Sequence, residues 1–459
     1  MVLRKNLLVF IMILKLTTQA LRVSPYVARS SLKVRTWMSS AGEVVIKAGK
    51  AKLFWGGNPL IYSGAVDHVL NAPQAGEEVS VVDTKGNSIG RGYYNPHSQY
   101  RVRLMVGRDE QRLMNMELEE VICKRIEDAK GLRRACGLPN EHTSAYRLVN
   151  GEGDRLSGLV VDVLGRAVVV QSSAYWVEAN RDVVERAVRS CLAPGQVMIW
   201  RRAESRLNRD GWDVDEDEDE YFKYGEEGKV STDIDDVDLS RLHVSENGIR
   251  YEVNALDGQK TGFYCDQRDN RELIRRYVQG RRVLDAYCYT GGFTLNCLLG
   301  GADHVTAVDS SNPALQLARR NVELNGFDPT DNRRVRFIKG DAVKEMKQLS
   351  DEGERFDVVI ADPPKLAPSR NSLDRAKKKY VQVNLAALRL VKPGGLLLTH
   401  SCSGAVTQQQ LLPSLVLDAS RQLGRQITLL STSNAAPCHP VHMAYRESAY
   451  LTALLFHVS

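Results

Sequence analysis

RVLDAYCYTGGFTLNCLLGGADHVTAVDSSNPALQLARRNVELNG (282–326) is the stretch that decides the fold. RVLDAY (282–287) is an apolar run of strand length carrying Asp285, CYTGG (288–292) is a glycine turn, and FTLNCLL (293–299) continues as an apolar helix. After Gly300-Gly301 the unit repeats: HVTAVD (304–309) closes on Asp309, and a helix follows from Pro313 to Glu323. Downstream, RVRFIKGD ends on Asp341, FDVVIADPP ends on Asp362-Pro363-Pro364, and GGLLLTHSCS brings the fifth strand to Cys402. Strands alternating with helices predict a parallel, doubly wound α/β sheet, whose ligands bind off the carboxyl ends of the strands. The acidic residues and the cysteine all fall at those ends.

The chemistry of that edge narrows the ligand. A dinucleotide would call for GxGxxG after the first strand, whereas this turn offers only Gly291 and Gly292. Asp309, 24 residues beyond Asp285, is placed to accept hydrogen bonds from a ribose, and Asp341 to meet an adenine amino group. With no pyrophosphate cradle, the expected cofactor is a single adenosine carrying an amino acid, S-adenosylmethionine.

Upstream, residues 44–109 read as short apolar strands broken by Gly56-Gly57, Asn58-Pro59, Gly86-Asn87 and Asn95-Pro96, which predicts a small β-barrel. Helical spacing from about Glu110 to Gly137, strands over 146–172 with turns at Gly151-Glu152-Gly153 and Leu164-Gly165, and a helix over 176–192 make residues 110–205 an α+β middle domain. An acidic linker or insertion occupies 206–242, and the α/β domain occupies 243–459. Between Asp213 and Asp238 stand 13 acids and two lysines, too dense a block to order itself and without the spacing of a calcium loop. No metal site is expected: the eight cysteines form no CxxC pair and read as free thiols of a reducing compartment.

Residues 1–42 hold seven basic residues and no acid, with an apolar run (7–14) too short to span a bilayer and a Ser/Thr-rich remainder. This predicts a targeting leader, with the plastid stroma favoured over the mitochondrial matrix and no membrane partner for the mature chain. The total charge of +6 shifts to −1 without the leader, and about +10 then lies on the domains outside the acidic segment. That surplus points to an anionic partner.

The ordered motifs VLDAYCYTGGFT, VTAVDSS, ARRNVELNG, GDAV, FDVVIADPPK and GGLLLTHSCSG resemble a class I (Rossmann-like) methyltransferase domain. With GQKTGFYCDQRDNR (258–271), YRLVNGEGDRLSGLVVD (146–162) and NPLIYSGAV (58–66), the chain resembles the PUA-domain family of bacterial large-subunit ribosomal RNA cytosine-5 methyltransferases. The resemblance covers roughly 44–459 apart from the acidic segment. It implies an RNA-binding PUA barrel, a middle domain, a catalytic domain and ribosomal RNA as partner; a homodimer is a further expectation.

It also implies roles. Carbon 5 of cytosine needs activation, which a thiolate supplies by adding to carbon 6 and leaving an enamine that attacks a sulfonium methyl. Cys402 is the implied nucleophile, and Asp362 the carboxyl that holds the protonated ring nitrogen. Pro363, Pro364 and Lys365 frame the base. Asp285, Tyr289 and Gly292 wrap the methionine part of the cofactor, Gly292 by letting backbone approach closely, while Asp266, Gln267 and Arg268 lie over it. Arg91, Arg101 and Arg103 in the barrel, with Lys365, Arg370, Arg375 and Lys377 to Lys379, are the candidate phosphate contacts.

Departures from the family pattern are the leucine at 366, often aromatic in relatives, and Cys438 in place of an aspartate. Two other readings stay open. One is methylation of an exocyclic amine, for which DPPK suffices; the other is a non-catalytic ribosome-assembly factor.

Overall fold

The computed structural model describes residues 42–214, 223–224, 237–256, 258–367 and 372–459. The expected leader, up to residue 41, lies outside the described residues, as do most of the acidic segment and Arg370.

Six strands form the first sheet: β1 (Gly42–Ile46), β2 (Leu60–Tyr62), β3 (Val66–Leu70), β4 (Glu78–Asp83), β5 (Ser88–Tyr94) and β6 (Tyr100–Gly107), in the order β2-β6-β5-β4-β1-β3. Its alternating apolar positions, among them Val44, Ile46, Ile61, Val79, Val81, Ile89 and Val102, close a core separate from the rest of the molecule. The hydrogen-bonded ladder ends at β2 and β3, so the strands enclose that core without a continuous barrel ladder. Strands β5 and β6 approach so closely at Gly92 that a Cβ there would lie 2.0 Å from the Arg103 carbonyl oxygen.

The helix expected from residue 110 begins later, at Leu118, and runs to Ala135. Glu110 turns back to accept the Gly107 N–H at 3.0 Å and pairs with Arg125, which holds the preceding residues in turns. Beyond the helix lie β7 (Ala145–Asn150), β8 (Leu159–Leu164), β9 (Ala167–Ser172), β10 (Val197–Arg202) and β11 (Lys223–Tyr224), ordered β11-β10-β9-β8-β7. A hairpin follows, β12 (Leu242–Glu246) and β13 (Ile249–Val253).

The third sheet contains β14 (Arg282–Ala286), β15 (His304–Asp309), β16 (Val335–Lys339), β17 (Phe356–Ala361), β18 (Val391–Ser401), β19 (Ile427–Ser433) and β20 (Thr452–Val458). Its order is β16-β15-β14-β17-β18-β20-β19; the first five strands are parallel, and β20 and β19 finish the edge antiparallel. Strand order reverses between β14 and β17, where crossover helices leave in opposite directions and open a crevice at the carboxyl ends. One apolar core joins this sheet to β7–β10, with Val169, Tyr251, Phe263, Ile274, Val283 and Ile360 all buried in it. At roughly 1.5–3 kcal/mol per buried large apolar side chain, that shared core ties residues 110–205 firmly to the seven-stranded sheet. Among the described residues no helix is long and apolar enough to cross a membrane.

Candidate active site

The crevice is built by the loops that leave β14, β15, β17 and β18. Asp285, in β14, is fully buried; its Oδ2 accepts the Thr294 hydroxyl at 2.6 Å, while its Oδ1 has no partner among the described residues. Burial pushes this carboxyl up to about 7 against the Thr294 hydrogen bond, with the charges of Asp362 and Asp309 adding to the rise. Three left-handed residues follow, Tyr287 (φ 68°), Tyr289 (φ 48°) and Gly291 (φ 84°). Only the glycine adopts that conformation without penalty, and each tyrosine costs about 1–3 kcal/mol. Hydrogen bonds to the neighbouring strand hold the bend. Tyr287 N–H and Cys288 N–H donate to the Val308 carbonyl, and Tyr289 N–H donates to Asp309 Oδ2 at 2.9 Å. Asp309 Oδ1 accepts Ser311 N–H, so both carboxylate oxygens are aligned by backbone. Asp341 caps the helix Ala342–Asp351 by accepting Lys344 N–H at 3.0 Å.

Two strands away, Asp362 and Cys402 leave the neighbouring parallel strands β17 and β18. The Cys402 thiol approaches the Pro363 carbonyl oxygen at 3.7 Å, which places it against the backbone that carries Asp362. Burial pushes the thiol up to about 11; the Asp362 charge adds to this and the Lys260 ammonium opposes it. Burial likewise raises the Asp362 carboxyl, with His400 and Lys260 opposing. Pro363 is buried, whereas Pro364 and Lys365 are exposed beside it.

The 258–271 segment covers the crevice. Gln267 Nε2 donates to Asp362 Oδ2 at 2.9 Å, and its own carbonyl oxygen is held by Asn270. Asp266 accepts Lys260 Nζ at 3.1 Å and the Tyr450 hydroxyl at 2.6 Å. Burial favours the neutral acid there, yet Lys260, His439 and these bonds hold Asp266 well below the usual carboxylate range. Lys260, 4.0 Å from the centre of the Tyr264 ring, and Thr294 and Tyr450 are site residues that sequence reasoning had not singled out. The signal for Lys260 and Tyr264 lay within KTGFY itself. Residues from the middle region complete the segment's support. Asp162, fully buried and paired with Arg147 through two 2.8 Å bonds, accepts the Thr261 hydroxyl at 2.5 Å; Arg201 donates to the Lys260 carbonyl at 2.6 Å.

Several expectations need correction. Arg268 does not face solvent: buried, it donates to Asp269 at 3.1 Å and to Cys438 Sγ at 3.5 Å. At Gly292 a Cβ would sit 2.9 Å from Arg271 Cδ. Arg91 and Arg103 are no phosphate contacts. Both are buried, Arg91 on Glu78 at 2.6 Å and Arg103 on Ser157 at 2.6 Å and Asp210 at 3.3 Å. Arg101 is turned onto the Pro96 carbonyl. Cys438 is fully buried, with its Sγ 3.3 Å from His439 Nδ1. Arg375, Lys378 and Lys379 are exposed, and Lys377 pairs with Asp374.

The donor set fits S-adenosylmethionine. Asp285 and Asp266 each keep one buried carboxylate oxygen without a partner among the described residues, the complement of an amino-acid ammonium. The Asp309 carboxylate faces the same edge with lone pairs left for a ribose.

Comparison with known proteins agrees with this geometry. Residues 230–456 match the S-adenosylmethionine-dependent methyltransferase family profile, and residues 44–106 match a PUA-like domain. The ribosomal RNA large subunit methyltransferase I of Photobacterium profundum is 33% identical over 416 residues, covering 90% of this chain and 99% of that protein. The enzyme of the same name from Tolumonas auensis is 35% identical over 399 residues, covering 87% and 94%. A solved SAM-dependent methyltransferase from Streptococcus mutans shares the fold with a TM-score of 0.72 at 21% identity, covering 90% of this chain and 99% of that one.

Proposed function

Because this chain belongs to the family of PUA-like-domain, S-adenosylmethionine-dependent ribosomal RNA large subunit methyltransferases I, we propose that it methylates carbon 5 of a cytosine in large-subunit ribosomal RNA. One observation carries the choice of carbon 5. A thiol, Cys402, and a carboxyl of raised affinity for protons, Asp362, leave adjacent strands on the crevice that holds Asp285.

Bound S-adenosylmethionine supplies an electrophilic methyl group; Asp285, Asp266 and Asp309 hold it. The residues of this chain do the rest. The Cys402 thiolate forms a bond to carbon 6, and the π electrons of the 5,6 double bond move to carbon 5, making it nucleophilic. Asp362, held by Gln267, carries the proton at ring nitrogen 3 as negative charge develops there. Carbon 5 takes the methyl group as the sulfonium–methyl bond breaks and S-adenosylhomocysteine is left; the carbon-5 proton then passes to water, the electrons of that C–H bond re-form the 5,6 double bond, and the carbon 6–sulfur bond breaks to return the Cys402 thiolate. A thiol raised to about 11 is almost wholly protonated at neutral pH, so ligand charge in the crevice must lower it before addition. A target base reaches Cys402 only when unstacked.

RNA containing 5-azacytidine tests this reading. A denaturant-stable protein–RNA adduct is expected, and it disappears in Cys402→Ala. Methylation that persists in Cys402→Ala overturns it in favour of an exocyclic amine, a reading supported by the resting thiol's high affinity for its proton. The leader is proposed to direct the chain to an organelle, the plastid stroma before the mitochondrial matrix. Fusing residues 1–42 to a fluorescent protein tests that, and diffuse cytosolic fluorescence rejects it.

A further inference from the structure

Cys402 sits between two serines, and both are fully buried while the thiol between them is partly exposed. Ser401 Oγ donates to the Tyr380 hydroxyl at 2.8 Å, and the same phenol lies 3.0 Å from Ser403 Oγ. Ser403 Oγ also accepts the Ala367 N–H at 3.1 Å, and Ser403 N–H donates to Ser401 Oγ at 3.3 Å. Tyr380 is itself fully buried, on the helix Leu373–Leu390. Ser401 donates to Tyr380, and in the Tyr380–Ser403 contact either hydroxyl can be the donor, so the phenol oxygen joins both serines.

We propose that Tyr380 is the positioning residue that aims the Cys402 thiol into the crevice and fixes its distance from Asp362. Successive side chains of an extended segment point to opposite sides, so anchoring residues 401 and 403 inward sends residue 402 outward. Through Ser403, which accepts the Ala367 N–H, the same phenol also holds the loop that follows Asp362-Pro363-Pro364. One hydroxyl therefore sets both strand ends that carry the reacting groups. Apolar side chains would fill this space without the cost of burying three hydroxyls, but they would not fix a direction.

The proposal rests on Cys402 being the nucleophile and deepens that reading. Tyr380→Phe keeps the ring and removes only the oxygen. The expected result is a kcat at least tenfold lower, with KM for RNA and for S-adenosylmethionine within twofold of wild type. Ser403→Ala is the second variant, usable if Tyr380→Phe melts early, and is expected to show the same split. Because both cut one network, the double variant should be no slower than the poorer single variant. A Tyr380→Phe enzyme within twofold of the wild-type kcat, or losses that multiply in the double variant, overturns the proposal. Failure of the underlying reading shows separately, as methylation surviving in a parallel Cys402→Ala sample.

Discussion

Off β14 the chain buries an aspartate with one oxygen unpaired among the described residues and bends two tyrosines into left-handed backbone; off β18 two buried serine hydroxyls flanking Cys402 both bond to the buried Tyr380 phenol. The two halves share one sheet edge, but of the oxygens just named only Asp285 Oδ1 is without a hydrogen-bond partner among the described residues. The half proposed to hold the cofactor carries desolvation and strain that a bound ligand would relieve, which would couple ligand binding to local stability there. The nucleophile half is shaped before any ligand arrives, which spares the enzyme that ordering cost during reaction.

The widest gap between the halves should appear at Asp285. Asp285→Asn is expected to weaken S-adenosylmethionine binding about a hundredfold by calorimetry, as befits a lost charge-assisted bond of about 3 kcal/mol. A loss below fivefold would detach Asp285 from the cofactor. The same substitution should raise the melting temperature of the ligand-free protein, more at pH 8 than at pH 4. The folded carboxyl is raised to about 7, so its contribution is intact below the ordinary carboxylate range and is lost as pH rises through 7. Asparagine removes that loss.

Asp162→Ala tests whether the middle region supports the cofactor half alone. It leaves the Arg147 guanidinium buried and unpaired, at a cost of about 3–5 kcal/mol in urea unfolding. Cofactor affinity should fall with it, while the alkylation rate of Cys402 stays unchanged. A parallel fall in that rate would mean the halves are not independent.

Within the nucleophile half, iodoacetamide labelling of Cys402 followed by mass spectrometry should rise with pH toward an inflection near 11 in the ligand-free protein. Because this pKa is raised on folding, the thiol's contribution to stability is present below the unfolded thiol range and is lost as pH climbs through 11. An inflection near 8.5, the ordinary thiol value, would contradict the burial. The smallest effect lies outside both halves. Lys378→Ala with Lys379→Ala should weaken RNA binding severalfold and reduce its salt slope by about one per lost phosphate contact. Arg91→Ala should cost stability and leave that slope alone.

Much of the edge was legible because strand order alone carries Asp285, Asp309, Asp362 and Cys402 to it. Gln267 came with the family motif. What stayed hidden depends on partners distant in sequence: Thr261 meets Asp162 across 99 residues, and Arg133 meets the Cys438 carbonyl across 305. Arg91 and Arg103 in the barrel were misread because a sequence displays charge but not the carboxylate that neutralises it, here Glu78 and Asp210.

The family profile begins at residue 230, yet Asp162 and Arg201 grip Thr261 and Lys260 from ahead of it. The methyltransferase portion is therefore no exchangeable cassette. A recombination joining its residues to another protein's middle region would inherit a cofactor cover with two of its fastenings missing, unless aspartate and arginine stood ready at the same places. Such lineages would be expected to pass the two regions on together, as a single heritable unit.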